Sequence, residues 1–188
     1  MLCTAADAKI HPTTRPSAEE IQAVKAALHR YNALMFAGDL KGMLAAQKAT
    51  TDNAKKLAKA SAESDVAVGK LEMAVEKKFG KEPRNWVAAI VEDATDDVAE
   101  GADVRVEGDK ALVLFKSGGS APIVRVGKTW VIDADTQAAM TENVSRFIDT
   151  LKKRQQVAEE TAKEVEAGKY KTMPELVGAV KKRMPEGN

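Results

Sequence analysis

The chain has 188 residues, and its 29 Lys and Arg residues nearly balance its 28 Asp and Glu residues, leaving a formal net charge of +1. This balance excludes the strongly basic composition of a non-specific nucleic-acid binder. No apolar stretch approaches the roughly 20 residues of a membrane-spanning helix, and the single cysteine excludes an internal disulfide. With 44% hydrophobic residues, the chain can form one domain, or one domain with a helical appendage.

Residues 1–16 are predicted to form a flexible arm, because they contain Pro12 and Pro16 and show no helical period. Cys3 after a leucine resembles a lipobox, and residues 6–8 resemble the A-x-A end of a secretory signal. The charged start and the apolar stretch that precede such sites are not seen before them. Two interpretations stay open. A removed upstream signal predicts an exported, periplasmic or lipid-anchored protein, whereas a chance resemblance predicts a cytoplasmic one.

Three helices are predicted next. Ser17 and Glu20 have the spacing of a capping box at the start of an amphipathic helix, and Gly38 is placed to end that helix in a left-handed cap. Asp39 is placed to cap a short second helix. A third, longer helix is predicted over residues 52–79, with Gly80 immediately after it.

The pattern then changes. A fourth helical piece is predicted to begin near Pro83 and to contain Trp86. From residue 104 to residue 132, apolar residues alternate around two tight turns at 108–109 and 127–128, which predicts a four-stranded antiparallel meander. One face of such a sheet is apolar and must be covered. The N-terminal helices are the predicted cover.

After Asp135 an apolar stripe predicts about thirty helical residues that end at Gly168. A second capping box, from Thr172 to Glu175, predicts a last short helix. The predicted fold class is α+β, with N-terminal helices packed on a four-stranded antiparallel meander and a C-terminal helical extension. The corresponding boundaries are an arm over 1–16, an α+β domain over 17–135, and an extension over 136–184 packed on the same domain.

Two segments carry a resemblance to a known family. Residues 30–40, a helix that closes on Ala-Gly-Asp-Leu, and residues 127–133, Gly-Lys-Thr-Trp-Val-Ile-Asp, resemble the nuclear-transport-factor-2-like (cystatin-like) superfamily. The chain looks most like its poorly characterised, often exported bacterial members. The resemblance implies a cone in which a curved sheet wraps around helices and leaves a pocket at its wide end. The chain departs from it at 52–79, where the family usually has a β-hairpin.

The resemblance also supplies a candidate catalytic group. Tyr31 is similar in position to the tyrosine that, in the ketosteroid-isomerase branch, donates a hydrogen bond to the developing enolate. That mechanism needs a carboxylate base, but an ungapped match places Lys55 there, and Asp52 is out of step. The alternative is an interior tyrosine whose hydroxyl reaches a polar partner. The candidate pocket-lining residues are Tyr31, Trp86, Phe115, Trp130 and Asp133.

Charged clusters offer further hypotheses. Five carboxylates between residues 92 and 100 suggest a calcium site but lack the spacing of a calcium loop, so a solvated acidic segment is favoured. Basic clusters at 152–154 and 181–183 would bind phosphate only on one face with aromatic neighbours, and only Tyr170 lies between them. Solvated helix faces are favoured for both. With two histidines and no phosphate-loop motif, no metal, cofactor or catalytic residue is predicted.

Three hypotheses for function follow. The first is a non-catalytic module that binds an unknown small molecule or protein through the cone pocket or the added helices. The second is a small-molecule enzyme of the isomerase or cyclase type, with Tyr31 and a carboxylate such as Asp133 in one closed pocket. The third is a homodimer formed through the stripe over 136–168, which Leu151→Glu would dissociate. No nucleic-acid partner and no membrane span are predicted.

Overall fold

The computed structural model describes residues 16–81, 101–116 and 119–183, and within them the chain has the predicted α+β class, with six helices and five strands. The arm before residue 16, the predicted helical piece around Trp86 and the acidic cluster at 92–100 lie outside the described residues. The helices are α1 (Ala18–Ala37), α2 (Leu40–Ala45), α3 (Asp52–Phe79), α4 (Ala134–Met140), α5 (Val144–Glu166) and α6 (Met173–Arg183). The strands are β1 (Gln47–Lys48), β2 (Asp103–Glu107), β3 (Lys110–Leu114), β4 (Ser120–Val126) and β5 (Thr129–Asp133).

The ends of the N-terminal helices follow the predicted signals. Ser17 Oγ accepts a hydrogen bond from the Glu20 amide, and the Glu20 carboxylate accepts one from the Ser17 amide, both at 3.1 Å. Gly38 ends α1 with φ of 66°, a conformation that glycine adopts at little cost. Asp39 caps α2 by accepting from the Gly42 amide. The predicted extent of α3 is also confirmed.

The sheet differs from the prediction. Strands β2 to β5 pair in sequence order and antiparallel, but β1 pairs parallel with β5, so the sheet is mixed and five-stranded, in the order β1-β5-β4-β3-β2. The prediction of a purely antiparallel four-stranded sheet is therefore wrong. Strand β1 has two residues, too few to show an alternating pattern. Long-range pairing holds it in place, and the Ile132 amide donates to the carbonyl of Ala46.

One face of the sheet, here called the inner face, packs on α1. Val104, Val113 and Ile123 are buried there against Val24 and Leu28. The register pairs Val104 with Val113, and residues directly opposite in antiparallel strands share a face. The first helix is therefore the cover that the sheet required.

The other face, here called the outer face, is covered only in part by the described helices. Helix α4 packs against β4, and Val124 is buried on that side. Leu112 and Leu114, which belong to the predicted alternation, point to the outer face and are half-buried, because Ala111 and Val113 take the inner positions. The β2–β3 half of the outer face is left open by the described elements.

The C-terminal part is more closely integrated than the word extension implies. The most extensive contact between two helices joins α3 and α5, which run side by side in the same direction. Leu57 near the start of α3 packs with Leu151, and Leu71 further along packs with Ala158 and Ala162. Alanine at many of these contacts lets the helix axes approach closely.

The single long helix predicted after Asp135 is two helices. Helix α4 ends at Met140, and Asn143 caps α5 by accepting a hydrogen bond from the Arg146 amide at 2.9 Å. The predicted apolar stripe continues from Met140 to Val144 across this break, so the sequence pattern gives no sign that the helix is interrupted. The last helix, α6, begins at the predicted capping box, where the Glu175 amide lies 3.5 Å from Thr172 Oγ1.

Helix α1 crosses α3 at a position where only glycine fits. A Cβ on Gly69 would lie 2.8 Å from the backbone oxygen of Met35, closer than real Cβ contacts. We expect Gly69→Ala to lower the free energy of unfolding by about 1–3 kcal/mol, because α1 and α3 must separate. Urea unfolding followed by circular dichroism measures the change.

Gly178 in α6 is the matched control, because a Cβ there would meet nothing within 4 Å. Gly178→Ala is expected to raise the free energy of unfolding by about 0.5–1 kcal/mol through helix propensity alone. If Gly69→Ala were as stabilising as Gly178→Ala, the close crossing of α1 and α3 would be contradicted.

Candidate functional site

A groove of about 570 Å³ lies on the open part of the outer face. Arg105, Leu112 and Pro122 stand opposite one another on β2, β3 and β4, and Asp133 follows at the end of β5. Met140 of α4 borders the same space. We call this space the sheet groove.

The lining of the sheet groove combines apolar and charged groups. Leu112, Pro122 and Met140 supply apolar surface, and the Met140 side chain is 60% exposed. Glu107 and Lys110 flank the β2–β3 turn at one end of the groove. Apolar walls with a few polar groups are typical of sites that bind small molecules.

Of the four predicted pocket residues that the structure describes, Asp133 alone lines the sheet groove. Its carboxylate caps α4, because Oδ1 accepts from the Thr136 amide at 3.1 Å and Oδ2 accepts from the Thr136 hydroxyl at 2.6 Å. The residue is buried, and both of its oxygens serve the helix start. Asp133 therefore closes one end of the groove as a structural cap.

The aromatic candidates lie elsewhere. Trp130 is buried on the inner face, where the Arg125 guanidinium stacks 4.9 Å from its ring centre and Arg30 donates to its carbonyl at 2.7 Å. Phe115 is half-buried at the margin of the same core, and its amide donates to the carbonyl of Gly119. Trp86 lies outside the described residues.

Tyr31 points toward α3 and does not line the sheet groove. Its hydroxyl donates to Asp65 Oδ2 at 3.0 Å and lies 3.4 Å from the Gln47 side-chain nitrogen. The guanidinium of Arg154 pairs with Asp65 Oδ1, and Arg154 Nε donates to the buried Ser64 hydroxyl at 2.9 Å. We call this set the helix clamp, because it joins α1, α3 and α5.

The sequence pointed to Tyr31 but not to its partner. The sequence offers Asp52 and Asp133 as candidate acids, whereas Asp65 lies in the middle of α3 and meets Tyr31 only when α1 and α3 pack together. The weakly apolar stretch around Asp65 was the available signal. Arg154 belongs to the predicted basic cluster 152–154, yet it turns inward while Lys152 and Lys153 are exposed.

The electrostatics of the helix clamp favour a structural role. Burial raises the pKa of Asp65, and the Arg154 charge and the hydrogen bonds from Tyr31 and Arg154 offset part of that effect. Each carboxylate oxygen of Asp65 already has a partner. Because the acid and the tyrosine bind each other, the arrangement ties three helices together and leaves neither group free toward a substrate.

A second charged cluster joins α5 to α6. The carboxylate of Glu164 accepts two hydrogen bonds from Arg183, at 2.8 and 3.1 Å, and others from Lys169 and the Tyr170 hydroxyl. The hydrogen bonds from Arg183, Lys169 and Tyr170 lower the pKa of Glu164 to about 2. Glu164 therefore acts as the anchor of this corner.

Comparisons with protein-family models, with curated proteins and with solved structures found no match to this chain. Across residues 16–81, 101–116 and 119–183, no three His, Cys, Asp or Glu side chains are grouped so as to hold a metal ion. None of the helices in these segments has the length and apolar character needed to cross a membrane. The geometry of the described residues is thus the basis for a functional proposal.

The helix clamp predicts a pH-dependent loss of stability when Arg154 is removed. We expect Arg154→Met to lower the free energy of unfolding at neutral pH by about 2–4 kcal/mol, because the Asp65 charge stays buried without its cation. Burial keeps the folded-state pKa of Asp65 above its unfolded value, so acidification protonates Asp65 more readily in the folded chain. The deficit should therefore shrink as the pH falls. Urea unfolding at several pH values measures it.

Two comparisons make the clamp test specific. Lys153→Met changes an exposed neighbour and should alter the free energy of unfolding by less than about 0.5 kcal/mol. The double variant Asp65→Asn, Arg154→Met should recover much of the loss, because no unpaired charge remains. Additive losses in the double variant would contradict direct pairing of Asp65 with Arg154.

The pKa of Glu164 is lowered, whereas that of Asp65 is raised, so the pH dependence expected from Glu164 has the opposite sign. Its folded pKa is about 2, below the usual glutamate value, so its stabilising effect is present above the unfolded pKa and is lost as the pH falls through about 2. We expect Glu164→Gln to be less stable than the parent at neutral pH and to lose less stability on acidification. Thermal unfolding between neutral and acid pH measures this, and the exposed Glu166→Gln is the control. Parallel pH profiles for the parent and Glu164→Gln would refute the anchor role.

Proposed function

We propose that the chain is a non-catalytic binding module that holds a small molecule with an apolar body and a polar end in the sheet groove. The observation that carries the proposal is the row formed by Arg105, Leu112 and Pro122. Together with exposed Met140, this row lines a groove of about 570 Å³. This volume lies within the range of about 300–1,000 Å³ typical of small-molecule sites. The apolar residues would bind the body of the ligand, and the charged groups at the turn would meet its polar end.

The arrangement of acids favours binding over catalysis. The enzyme hypothesis is supported by one observation, the hydrogen bond between Tyr31 and Asp65. General base catalysis requires a carboxylate that can reach a substrate proton. Asp65 is held by Arg154, and Asp133 caps α4 within the proposed site. An isomerase or cyclase activity would need one of these carboxylates to be released.

Self-association through the C-terminal stripe receives less support. Leu151, Val157 and Ala158 of that stripe are buried within the chain. Leu151 packs with Leu57 of α3, and Ala158 lies in the core that α3 shares with α6. The proposed Leu151→Glu change would thus put a charge into the core and lower stability whatever the oligomeric state. Met140 and Phe147 of the stripe are exposed, so a homodimer formed through it would have to use that end.

We also infer a kinship with the nuclear-transport-factor-2-like superfamily. It is supported by the order of parts, since the helix that closes at Gly38 packs on a sheet whose last strand follows the Gly127 turn. The long helix α3 stands where those proteins usually have a β-hairpin. The inner face is packed against α1, so the proposed ligand site is on the outer face.

The sheet groove predicts binding of an uncharged apolar probe. We expect N-phenyl-1-naphthylamine to bind saturably, and Met140→Ser to weaken binding by about fivefold, because less apolar surface is buried on the probe. Fluorescence titration measures the affinity. Amide chemical-shift changes on addition of the probe should centre on the sequence around Leu112 and Pro122.

Met73→Ser is the matched control, because Met73 is also an exposed methionine but lies on α3, away from the groove. Its affinity for the probe should equal that of the parent. Equal weakening by both changes, or shifts centred away from β3 and β4, would overturn the proposed site.

A further inference from the structure

We infer that the corner between α5 and α6 is a second binding site, which takes a small polyanion bearing phosphate or carboxylate groups. A groove of about 710 Å³ opens there, beside the core that holds Leu176 and Val180 of α6. We call it the corner groove. Its lining residues are Lys169, Tyr170, Lys171, Pro174, Glu175, Gly178, Ala179, Lys182 and Arg183.

The corner groove concentrates positive charge on a chain that is otherwise nearly neutral. Among the described residues, four cationic side chains line it, Glu175 is the one lining carboxylate, and Glu164 lies beside it. The formal net charge of the whole chain is +1. A local excess of cations around a concave surface raises the concentration of anions there.

Glu164 divides these cations into two groups. It binds Arg183 and Lys169 and so fixes the walls of the groove. Lys171 and Lys182 have exposed side chains and no ion pair to any residue that the structure describes. These two amines are therefore available to a ligand, while the first pair holds the site in shape.

The floor of the groove has short side chains. Gly178 and Ala179 lie in α6, and a Cβ on Gly178 would meet no atom within 4 Å. The buried ring of Tyr170 forms one wall. The Glu175 carboxylate accepts a hydrogen bond from the Lys171 amide near the start of α6, so this backbone donor is already occupied. Binding of an anion would therefore depend on the lysine side chains.

The two basic clusters of the sequence thus differ. Cluster 181–183 brings Lys182 and Arg183 to one groove beside Tyr170, which is the aromatic neighbour that phosphate binding was expected to require. Cluster 152–154 lies outside that groove, with Arg154 engaged by Asp65. Cluster 152–154 therefore provides a comparison of equal charge on the same chain.

The test is a titration of the full ¹⁵N-labelled chain with tripolyphosphate and, separately, with citrate at low ionic strength. We expect saturable amide shifts around Gly178 and Ala179 with at least one anion. Which anion binds more tightly distinguishes phosphate from carboxylate recognition. The double change Lys171→Ala, Lys182→Ala should weaken binding by about tenfold, as expected for the loss of two exposed charge contacts.

Two further variants separate a built site from diffuse attraction. Lys152→Ala, Lys153→Ala removes the same charge elsewhere and should change the affinity by less than about twofold. Gly178→Met keeps every charge and fills the groove, so it should also weaken binding. Circular dichroism confirms that each variant is folded. Equal weakening by both lysine pairs, unchanged affinity in Gly178→Met, or no saturable shift with either anion would overturn the inference.

Discussion

The parallel packing of α3 against α5 is the contact on which the rest of the structure depends. Strands β2 to β5 lie between the two helices in the chain, so the contact between the helices brings the two ends of this segment together. Alanines bring them close, and the pairing of Arg154 with Asp65 sets their register. The hydroxyl of Tyr31 extends the same network to α1, which carries the inner face of the sheet.

The two faces of the sheet are covered to different extents by the described helices. The inner face is filled by α1. The outer face is covered only by the short helix α4 among the described elements, so Val124 is buried while Leu112 stays half-exposed. A surface that the fold leaves partly apolar costs free energy in water, and a bound ligand would recover some of it.

The two proposed sites use charge in different ways. In the sheet groove, polar groups border an apolar surface, and Asp133 is committed to capping α4. In the corner groove, Glu164 pairs with Arg183 and Lys169, while Lys171 and Lys182 are exposed. In both grooves the carboxylate is engaged by neighbouring protein groups and supports the walls. A carboxylate held in this way does not act on a substrate, which is why we favour binding over catalysis at both sites.

The sequence by itself determined the local structure, because caps and periods act over a few residues. The box at Ser17, the end of α1 at Gly38 and the extent of α3 needed no tertiary information. Only the tertiary structure decided which face of the sheet Leu112 takes, because alternate residues on both faces of β3 are apolar. It also decided which acid meets Tyr31, because Tyr31, Asp65 and Arg154 are distant from one another in sequence. Strand β1 and both grooves likewise arise from contacts between distant segments, which no local pattern encodes.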